Sequence, residues 1–562
     1  MFERRDDPAM KKLYFIIISV IILSSLVLGG CGETSSTTPA STAPTTAKPA
    51  PTSSTPAAST TPTTMPSPTA PPPAPAGTQR YGGTLVIVCD ESIDALGYPA
   101  EASPKAFLYY KNALPVMETL VNADNMENIT PGLAKSWDIS PDGKTITLHL
   151  QENVKFHDGT DFNAEAVKYN LQAWDLTNAP FLANVTAMDV IDKNTLKLTL
   201  QKFDSHLLLR FTSGSVGQIA SPTAMKKPAT PETMAKEHMV GTGPFKFVSW
   251  KRQDYVKFVK NPDYWQKGKP YLDAIEFRFV ADYMTRQLSF KAGEADYTGA
   301  LYPVDAHILE GQGYRIEPSE LTFVWYFVPD SANPDSPFSN VKVREALEYA
   351  IDKKTIAQGI GEGYMAPAYQ FAQPNAPYFT KDAVQRVYDP QKAKDLLAEA
   401  GYPNGFSTTI ITDIRVKMDL VTAVRTYLKA VGIDCDLDVA DVPRSMSTNY
   451  GGWKNAIYWQ GYPSGATQLG LTMTFGSRGP LVSMLRPEGW QDQWDAMVAE
   501  PDEAKRLAMW KEMNAKTIDL DIVIPLIYDH RIYAAQKKVR DLGWAYGQNA
   551  LWWDPANAWL EE

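Results

Sequence analysis

Hydrophobic residues alternate with polar ones in several short stretches in the first half of the chain. Isoleucine and leucine alternate with threonine and histidine in ITLHL at 146–150, and TLKLTL at 195–200 and YVKFVK at 255–260 repeat the pattern. A period of two residues predicts strands with one buried and one solvated face. The run GGTLVIVCD at 82–90 is apolar after its two glycines, which predicts a strand buried on both faces.

The second half of the chain changes to the period of a helix. In VREALEYAID at 343–352 and DPQKAKDLLAEAG at 389–401, the apolar residues fall on one helical face. The latter stretch has Asp389 as a cap, a proline at the first helical position and Gly401 as a stop. The stretch 421–441 then predicts a helix, a glycine and a strand. Helices that repeatedly feed strands predict an α/β arrangement.

The N-terminal segment carries an apolar run of its own. Lys11 and Lys12 precede the run from Leu13 to Leu28, which is the arrangement of an export signal. The run ends at two glycines and Cys31, and this junction resembles the lipobox of bacterial lipoproteins. The resemblance implies that the chain is cut before Cys31 and that the Cys31 thiol receives a diacylglycerol. A permanent membrane-spanning helix is the alternative, because the run is close to the length that a bilayer requires.

The stretch after the cysteine has the composition of a tether. Residues 34–77 are almost wholly Thr, Ser, Pro and Ala, and Lys48 is their only charge. Such a stretch cannot bury enough apolar surface to offset the entropy lost on ordering. We therefore predict a lipoprotein signal peptide at 1–30 and a lipid-anchored, disordered linker at 31–79.

Composition excludes several classes of partner and site. The net charge of −10 and the pI near 5.3 argue against nucleic acid. Cys89 and Cys435 lie in apolar or strand-like runs, which favours two buried free thiols over a disulfide. The six histidines are scattered and no cysteines stand at zinc spacing, so the sequence predicts neither a metal site nor a cofactor. His157, alone in a turn, is predicted to be structural.

Six blocks between Tyr81 and Trp559 resemble, in their order, the family 5 solute-binding proteins of ABC importers. That class contains dipeptide, oligopeptide and nickel receptors. The blocks are LAKSWDISPDGKTITLHLQENVKFHDGTDFNAEAV, GTGPFKFVSW, NPDYWQKGKPYLDAIEFRFVAD, AGEADY, PFSNVKVREALEYAIDK and YDPQKAKDLLAEAGYPNGF. Any one block is a weak match, but six in the family's order make an accidental match improbable.

The resemblance implies an α/β, two-lobe periplasmic-binding-protein fold of the class II type, with an extra subdomain in lobe one and a hinge between the lobes. The implied boundaries are 80–323 plus 525–562 for lobe one, about 120–235 for its subdomain, and 324–524 for lobe two. The apolar stretches 321–327 and 521–529 would cross between the lobes.

The pocket departs from the pattern of the peptide receptors. These relatives carry a loop resembling W-x-x-D-Y-P-D-P, whose first Asp pairs with the peptide's α-ammonium group. The corresponding stretch here, YWQGYPSGATQ at 458–468, lacks one position and has no acidic residue between Trp459 and Gln468. A buried ammonium group without a carboxylate is costly, so the departure weakens a peptide assignment.

Other residues are candidates for contact with the ligand. Acidic residues after the first predicted strand, Asp90, Glu91 and Asp94, could supply the missing charge, and a solvated acidic loop is the alternative. Aromatic residues can line a pocket for an apolar, aromatic or sugar-like solute, although each of them could instead belong to the core. The predicted ligand-binding residues are Tyr98, Trp325, Tyr326, Trp459, Gly461, Tyr462 and Asp90.

The predicted function is the extracytoplasmic, lipid-anchored binding component of an ABC importer. It would capture a peptide or similar small solute between closing lobes, as a monomer on the outer face of the cytoplasmic membrane, and deliver it to a permease driven by an ATPase. A receptor for a nickel chelate, a sugar-like or an aromatic compound and a sensory binding protein are the alternatives. The chain has no GxSxG, HExxH or Walker A pattern, so no enzyme activity is predicted.

Overall fold

A computed structural model describes most of the chain beyond the predicted linker. The described residues are 79–90, 96–97, 110–123, 128–177, 182–212, 216–230, 233–374, 376–414, 416–463, 474–476, 479–543 and 553–561. All of them fall within one compact unit, residues 70–562. The predicted signal peptide, Cys31 and the Thr/Ser/Pro/Ala-rich segment lie outside the described residues.

The described residues form strands and helices in mixed order. The strands are β1 (Thr84–Cys89), β2 (Val121–Ala123), β3 (Ile129–Pro131), β4 (Ala134–Ile139), β5 (Thr145–Leu150), β6 (Val185–Asp192), β7 (Thr195–Leu200), β8 (Phe245–Lys251), β9 (Tyr255–Lys260), β10 (Ala274–Phe279), β11 (Tyr297–Thr298), β12 (Arg315–Pro329), β13 (Met365–Pro367), β14 (Phe406–Asp413), β15 (Ile433–Ala440), β16 (Ala456–Pro463), β17 (Ile524–Ala535), β18 (Val539–Arg540) and β19 (Trp559–Leu560). The helices are Tyr110–Ala113, Ala164–Thr177, Leu207–Arg210, Pro222–Met225, Met234–His238, Tyr283–Lys291, Pro303–Gly311, Val341–Ala350, Lys353–Gly361, Pro390–Glu399, Met418–Ala430, Val442–Gly451, Trp490–Val498 and Glu503–Asp519, with a 3₁₀ turn at Pro337–Ser339.

One large sheet organises both halves of the fold. Its strand order is β15-β14-β16-β12-β17-β11-β1-β10-β9-β8, and β13 pairs with β17. On one side β14 runs parallel to β15 and β16, and on the other β1 runs parallel to β10 and β11. Strands β12 and β17 lie between the two parallel groups and pair with each other antiparallel. These are the two segments that the sequence predicted to cross between lobes.

A second, four-stranded sheet, in the order β4-β5-β7-β6, lies within the first half of the chain. The period of two that predicted β5 and β7 matches their burial, because Ile146, Leu148 and Leu150 are buried while the residues between them are partly exposed. His149, on the exposed face of β5, places Nε2 2.8 Å from Oδ2 of Asp138. The predicted strands of this region are therefore confirmed.

Two helices of the second half begin at side-chain caps, of which the cap at Asp389 was predicted from the sequence. The side chain of Asp389 accepts hydrogen bonds from the backbone N–H groups of Gln391 and Lys392, and Pro390 opens the helix Pro390–Glu399. Asn340 caps the helix Val341–Ala350 in the same manner. Carboxylate and amide oxygens satisfy N–H groups that have no partner inside the first helical turn. Local side-chain chemistry thus sets where these helices begin.

His157 and the two cysteines, Cys89 and Cys435, have the structural roles that the sequence predicted. His157 places Nε2 2.9 Å from the carbonyl oxygen of Gly243, and burial lowers the pKa of His157 to about 4. It is a neutral, hydrogen-bonded side chain of the fold. Cys89 and Cys435 are buried free thiols. Burial raises the pKa of the Cys435 thiol to about 12, which suppresses its reactivity at neutral pH.

Candidate functional site

The carboxyl ends of both parallel strand groups point at the same place on the crossing strands. Strand β11 pairs antiparallel with β17 through Thr298 and Ala534, so its carboxyl end faces the lower-numbered residues of β17. Strand β16 pairs antiparallel with β12 through Gly461 and Trp325, and its carboxyl end faces Phe323. Phe323 in turn pairs with Asp529 of β17. Ligands of open α/β sheets bind beyond the carboxyl ends of strands, so topology places the candidate site there.

A β-bulge interrupts the crossing strands beside this point. Between the pairs Pro318–Ile532 and Thr322–His530, β12 advances four residues while β17 advances two. The carbonyl oxygen of Ser319 lies 2.6 Å from Nδ1 of His530, and its hydroxyl oxygen accepts a 3.0 Å hydrogen bond from the backbone N–H of Arg531. Bulges bend a strand and redirect its side chains, and they are frequent next to functional sites.

Asp529 is the carboxylate at the meeting point. Nζ of Lys417 lies 2.9 Å from Oδ2 and 3.2 Å from Oδ1 of Asp529, and the indole N–H of Trp325 donates to Oδ2 over 3.1 Å. The side chains of Lys417 and Asp529 are 18% and 8% exposed. Lys417 stands directly before the helix Met418–Ala430, which follows β14. This ion pair therefore ties the carboxyl end of β14 to the crossing strand β17.

Aromatic rings and an arginine complete the group. The rings of Phe323 and Trp325 lie 4.8 Å apart, and the Arg531 guanidinium lies 5.5 Å from the Phe323 ring centroid. A Cβ atom on Gly461 would come within 2.0 Å of the Phe323 ring and 2.5 Å of the Trp325 ring. Only glycine at this position lets both rings lie against β16. We call Phe323, Trp325, Lys417, Gly461, Asp529 and Arg531 the carboxyl-edge cluster.

The structure divides the predicted ligand-binding residues. Trp325 and Gly461 belong to the carboxyl-edge cluster. Tyr326 lies on the opposite face of β12, is 1% exposed and packs against Phe371 at 5.1 Å between ring centroids. Trp459 is also 1% exposed and packs against Phe327 at 4.9 Å. Neighbouring residues of a strand face opposite sides, so Trp325 and Tyr326 cannot line the same pocket.

Asp90 lies at the same edge of the other half, directly after β1. Its side chain is exposed, and one carboxylate oxygen lies 3.7 Å from Nη2 of the buried Arg286. Arg286 also donates from Nη1 to the carbonyl oxygen of Val280 over 2.9 Å. Tyr98, Glu91, Asp94 and the side chain of Tyr462 lie outside the described residues.

Sequence reasoning missed three members of the cluster, Lys417, Asp529 and Arg531. One pattern could have found two of them. The polar residues Asp529, His530 and Arg531 stand between the apolar segments IPLIY and IYAA, and all residues of these two segments are buried. Consecutive polar residues inside a strand that is buried on both faces need a local reason. No comparable sequence pattern marked Lys417, because its partner Asp529 lies 112 residues away in the sequence.

A cavity lies at the opposite, amino-terminal edge of the sheet. Lys246, Val259, Ala274 and Thr84 form one row across β8, β9, β10 and β1, and Pro244, which lines the cavity, comes just before β8 at this end of the sheet. It has a volume of about 520 Å³, and we call it the amino-edge cavity. Its described lining includes Glu118, Gln151, Tyr264, Trp265, Trp553 and Asp554, and none of its described lining residues is basic.

Glu118 in this cavity is held by neutral donors. Tyr264 donates its hydroxyl over 2.7 Å, Thr242 over 2.8 Å, and the indole N–H of Trp265 lies 2.9 Å from Oε2. Burial raises the pKa of Glu118 from 4.5 to about 7, against the lowering effect of these hydrogen bonds. Residues 241–244 belong to this edge as well, since Thr242 binds Glu118 and Pro244 lines the cavity. Glu118 thus joins chain segments that are far apart in sequence.

The sequence profile of the family described as bacterial extracellular solute-binding proteins, family 5 middle, matches residues 128–480. The chain belongs to this family. The glutathione-binding protein GsiB of Shigella dysenteriae serotype 1 is 40% identical over 430 residues, which cover 72% of this chain and 82% of that relative. With GsiB of Escherichia coli O1:K1, the aligned 288 residues are 40% identical and span about half of each chain, 50% and 54%.

Solved structures share the fold. DppA of Helicobacter pylori, in complex with the peptide STSA, has a TM-score of 0.70 at 23% identity, over 86% of this chain and 99% of that one. AgaA of A. tumefaciens R10, in complex with agropinic acid, has a TM-score of 0.69 at 26% identity, over 85% and 99%. The predicted family and the α/β, two-lobe fold class are confirmed. Among the described residues, no helix combines the length and apolar character needed to cross a membrane.

Proposed function

We propose that this chain is the receptor of an ABC importer, which captures a peptide or a similar small solute between its two lobes and delivers it to a membrane permease coupled to an ATPase. The observation that carries the proposal is the convergence of both strand groups on the carboxyl-edge cluster. Aromatic rings, an ion pair and an exposed guanidinium meet there, at the strands that join the halves. A solute seated at this point would contact both halves together.

The crossing strands provide the means of closure. A solute stabilises the closed form only by as much as it binds that form more tightly than the open one. Strands β12 and β17 are long, and the bulge at Ser319 locally relaxes their pairing. Hinges are commonly formed by a few such residues that absorb backbone rotation. The Lys417–Asp529 pair lies on one side of this bulge and would hold β14 in place while the lobes close.

A non-peptide solute is the second candidate, and the cluster itself favours it. The stretch 458–468 contains no acidic residue, and both oxygens of Asp529 already accept from Lys417. A peptide's ammonium group would therefore compete with a resident cation for the described carboxylate of the cluster. AgaA, whose structure holds agropinic acid, shows that the fold also accommodates a ligand of another kind.

The cellular placement is part of the same proposal. Cys31 would carry the lipid, and residues 31–79 would tether the receptor to the outer face of the cytoplasmic membrane as a monomer. Lobe one would comprise 80–323 and 525–562, and lobe two 324–524. The relatives named above are binding proteins by name, and a receptor needs no chemistry of its own.

A thermal-shift screen tests the proposal. The purified full chain, kept in detergent, is heated with di- to pentapeptides, nickel chelates, oligosaccharides and aromatic acids, because a solute that binds the folded state raises the melting temperature with its concentration. We expect at least one class to give a saturable shift. Gly461→Ala should reduce that shift because its Cβ meets Phe323, whereas Gly451→Ala, whose Cβ meets nothing within 4 Å, should keep it. Equal shifts in both variants would contradict binding at the cluster.

A further inference from the structure

Arg531 differs from its neighbours on β17. The strand is buried along almost its whole length: His530 is half-buried, and Arg531 is its single exposed position. The backbone N–H of Arg531 is fixed by Ser319, and its guanidinium lies over the Phe323 ring. An exposed cation is thus held in a defined place at the meeting point of the two halves.

A second arginine on the same pair of strands, Arg315, is paired with a carboxylate of the protein and serves as a comparison for Arg531. Arg315 of β12 binds Glu317, two residues away on the same strand, with Nη2 and Oε1 2.6 Å apart. Arg531 also has a carboxylate two residues away, that of Asp529. Lys417 and Trp325 occupy that carboxylate, and no carboxylate of the described residues lies within ion-pair distance of the Arg531 guanidinium. Within the part of the chain that the structure describes, one arginine is paired with an acid and the other is not.

We infer that the Arg531 guanidinium binds a carboxylate group of the transported solute. A guanidinium presents a planar fork of N–H donors that matches a carboxylate in two parallel hydrogen bonds. The cation–π contact with Phe323 holds the guanidinium in place without using its N–H donors. Lys417 neutralises Asp529 and so reduces the repulsion between that carboxylate and an incoming anion.

This inference rests on the proposed function and names the class of its solute. The solute carries a free carboxylate, which can be the C-terminus of a peptide or the carboxylate of a small organic acid. Both sources share the chemistry that Arg531 recognises. Neutral sugars and fully amidated peptides lack that group and should bind weakly.

The test compares each acid with its primary amide. Solutes that shift the melting temperature of the full chain are paired with their C-terminal amides, and affinities are measured by titration calorimetry for wild type, Arg531→Gln and Arg531→Lys. Arg252→Gln, in the turn between β8 and β9, is the control. We expect Arg531→Gln to weaken binding of the acid about 10- to 100-fold, as for hydrogen bonds to a charged group, and binding of the amide by much less. Arg531→Lys should recover part of the loss.

The outcomes separate the inference from the proposed function. If an acid and its amide bind equally to wild type, or if Arg531→Gln weakens both equally, the carboxylate does not bind Arg531 and the inference is overturned. If no solute of any class binds wild type, the proposed function itself fails. A peptide acid that depends on Arg531 while small organic acids do not bind would identify the C-terminus as the source of the carboxylate. An unchanged melting temperature of the free variants shows that folding is intact.

Discussion

The two edges of the large sheet each hold an acidic side chain, and the partners of this side chain differ between the two edges. At the carboxyl edge, Asp529 is paired with Lys417 beside the exposed Arg531. At the amino edge, Glu118 accepts only from hydroxyl and indole groups, and none of the cavity's described lining residues is basic.

The difference agrees with the proposal that the carboxyl edge binds the solute and that Glu118 is part of a structural junction. At the carboxyl edge, Lys417 pairs with the carboxylate, and the exposed guanidinium of Arg531 remains available to a ligand. A carboxyl group surrounded by neutral donors loses part of its preference for the ionised form when it is buried, as the raised pKa of Glu118 shows. Its hydrogen bonds to Thr242, Tyr264 and Trp265 join three points of the chain, which is a role in folding.

Removing the carboxylate of the carboxyl edge should have the largest effect on folding. Asp529→Ala leaves Lys417 largely buried without a partner and the Trp325 N–H without an acceptor. We expect the free energy of unfolding, measured by urea denaturation, to fall by about 3 kcal/mol, as for a broken buried ion pair. The double variant Lys417→Met/Asp529→Ala should recover most of this loss, because it removes the orphaned charge. A loss in the double variant as large as in the single one would contradict this account of the pair.

At the amino edge, Glu118 should make the free energy of unfolding depend on pH. The folded chain retains a proton on Glu118 that the unfolded chain releases near pH 4.5, since burial raises the pKa to about 7 in the fold. The contribution of Glu118 to the free energy of unfolding is therefore fully present below pH 4.5 and is lost as pH rises through about 7. Relative to Glu118→Gln, wild type should lose roughly 2 kcal/mol of unfolding free energy between pH 5 and pH 8. Parallel pH profiles of the two proteins would refute a raised pKa at this position.

A smaller effect should follow from removal of one hydrogen bond. Trp325→Phe removes the N–H that donates to Asp529, whereas Trp459→Phe removes an indole N–H that has no hydrogen-bond partner among the described residues. Both variants remove the same ring atoms from nearly buried sites. We expect Trp325→Phe to be the more destabilising by about 1 kcal/mol, the usual net contribution of a hydrogen bond. Chemical denaturation of both variants in one buffer gives the difference, and equal losses would show that the indole–carboxylate bond contributes nothing.

Local elements were predictable from the sequence because their signals are local. The period of two in β5 and the Asp389 cap need only neighbouring residues, and both agree with the structure. The family also followed from the sequence, since six blocks in order carry more information than any single motif.

The site was harder to predict because its members come from different parts of the chain. Trp325 and Gly461 were chosen for their residue type and loop position, but only strand register shows that Tyr326 faces the other way. Lys417 meets Asp529 only after β14 and β17 are placed in one sheet. The sequence shows which side chains are aromatic. Whether such a side chain lines a cleft or lies in the core depends on its neighbours in the folded structure.

Hydrogen exchange with mass spectrometry tests the central claim most directly. The full chain is compared with and without a solute that raises its melting temperature, and protection is read along the backbone. The account predicts slowed exchange at 321–327, 456–463 and 524–531, the strands that carry the carboxyl-edge cluster, and unchanged exchange around Glu118 and Tyr264. Protection concentrated at the amino-edge cavity, with the crossing strands unaffected, would contradict it.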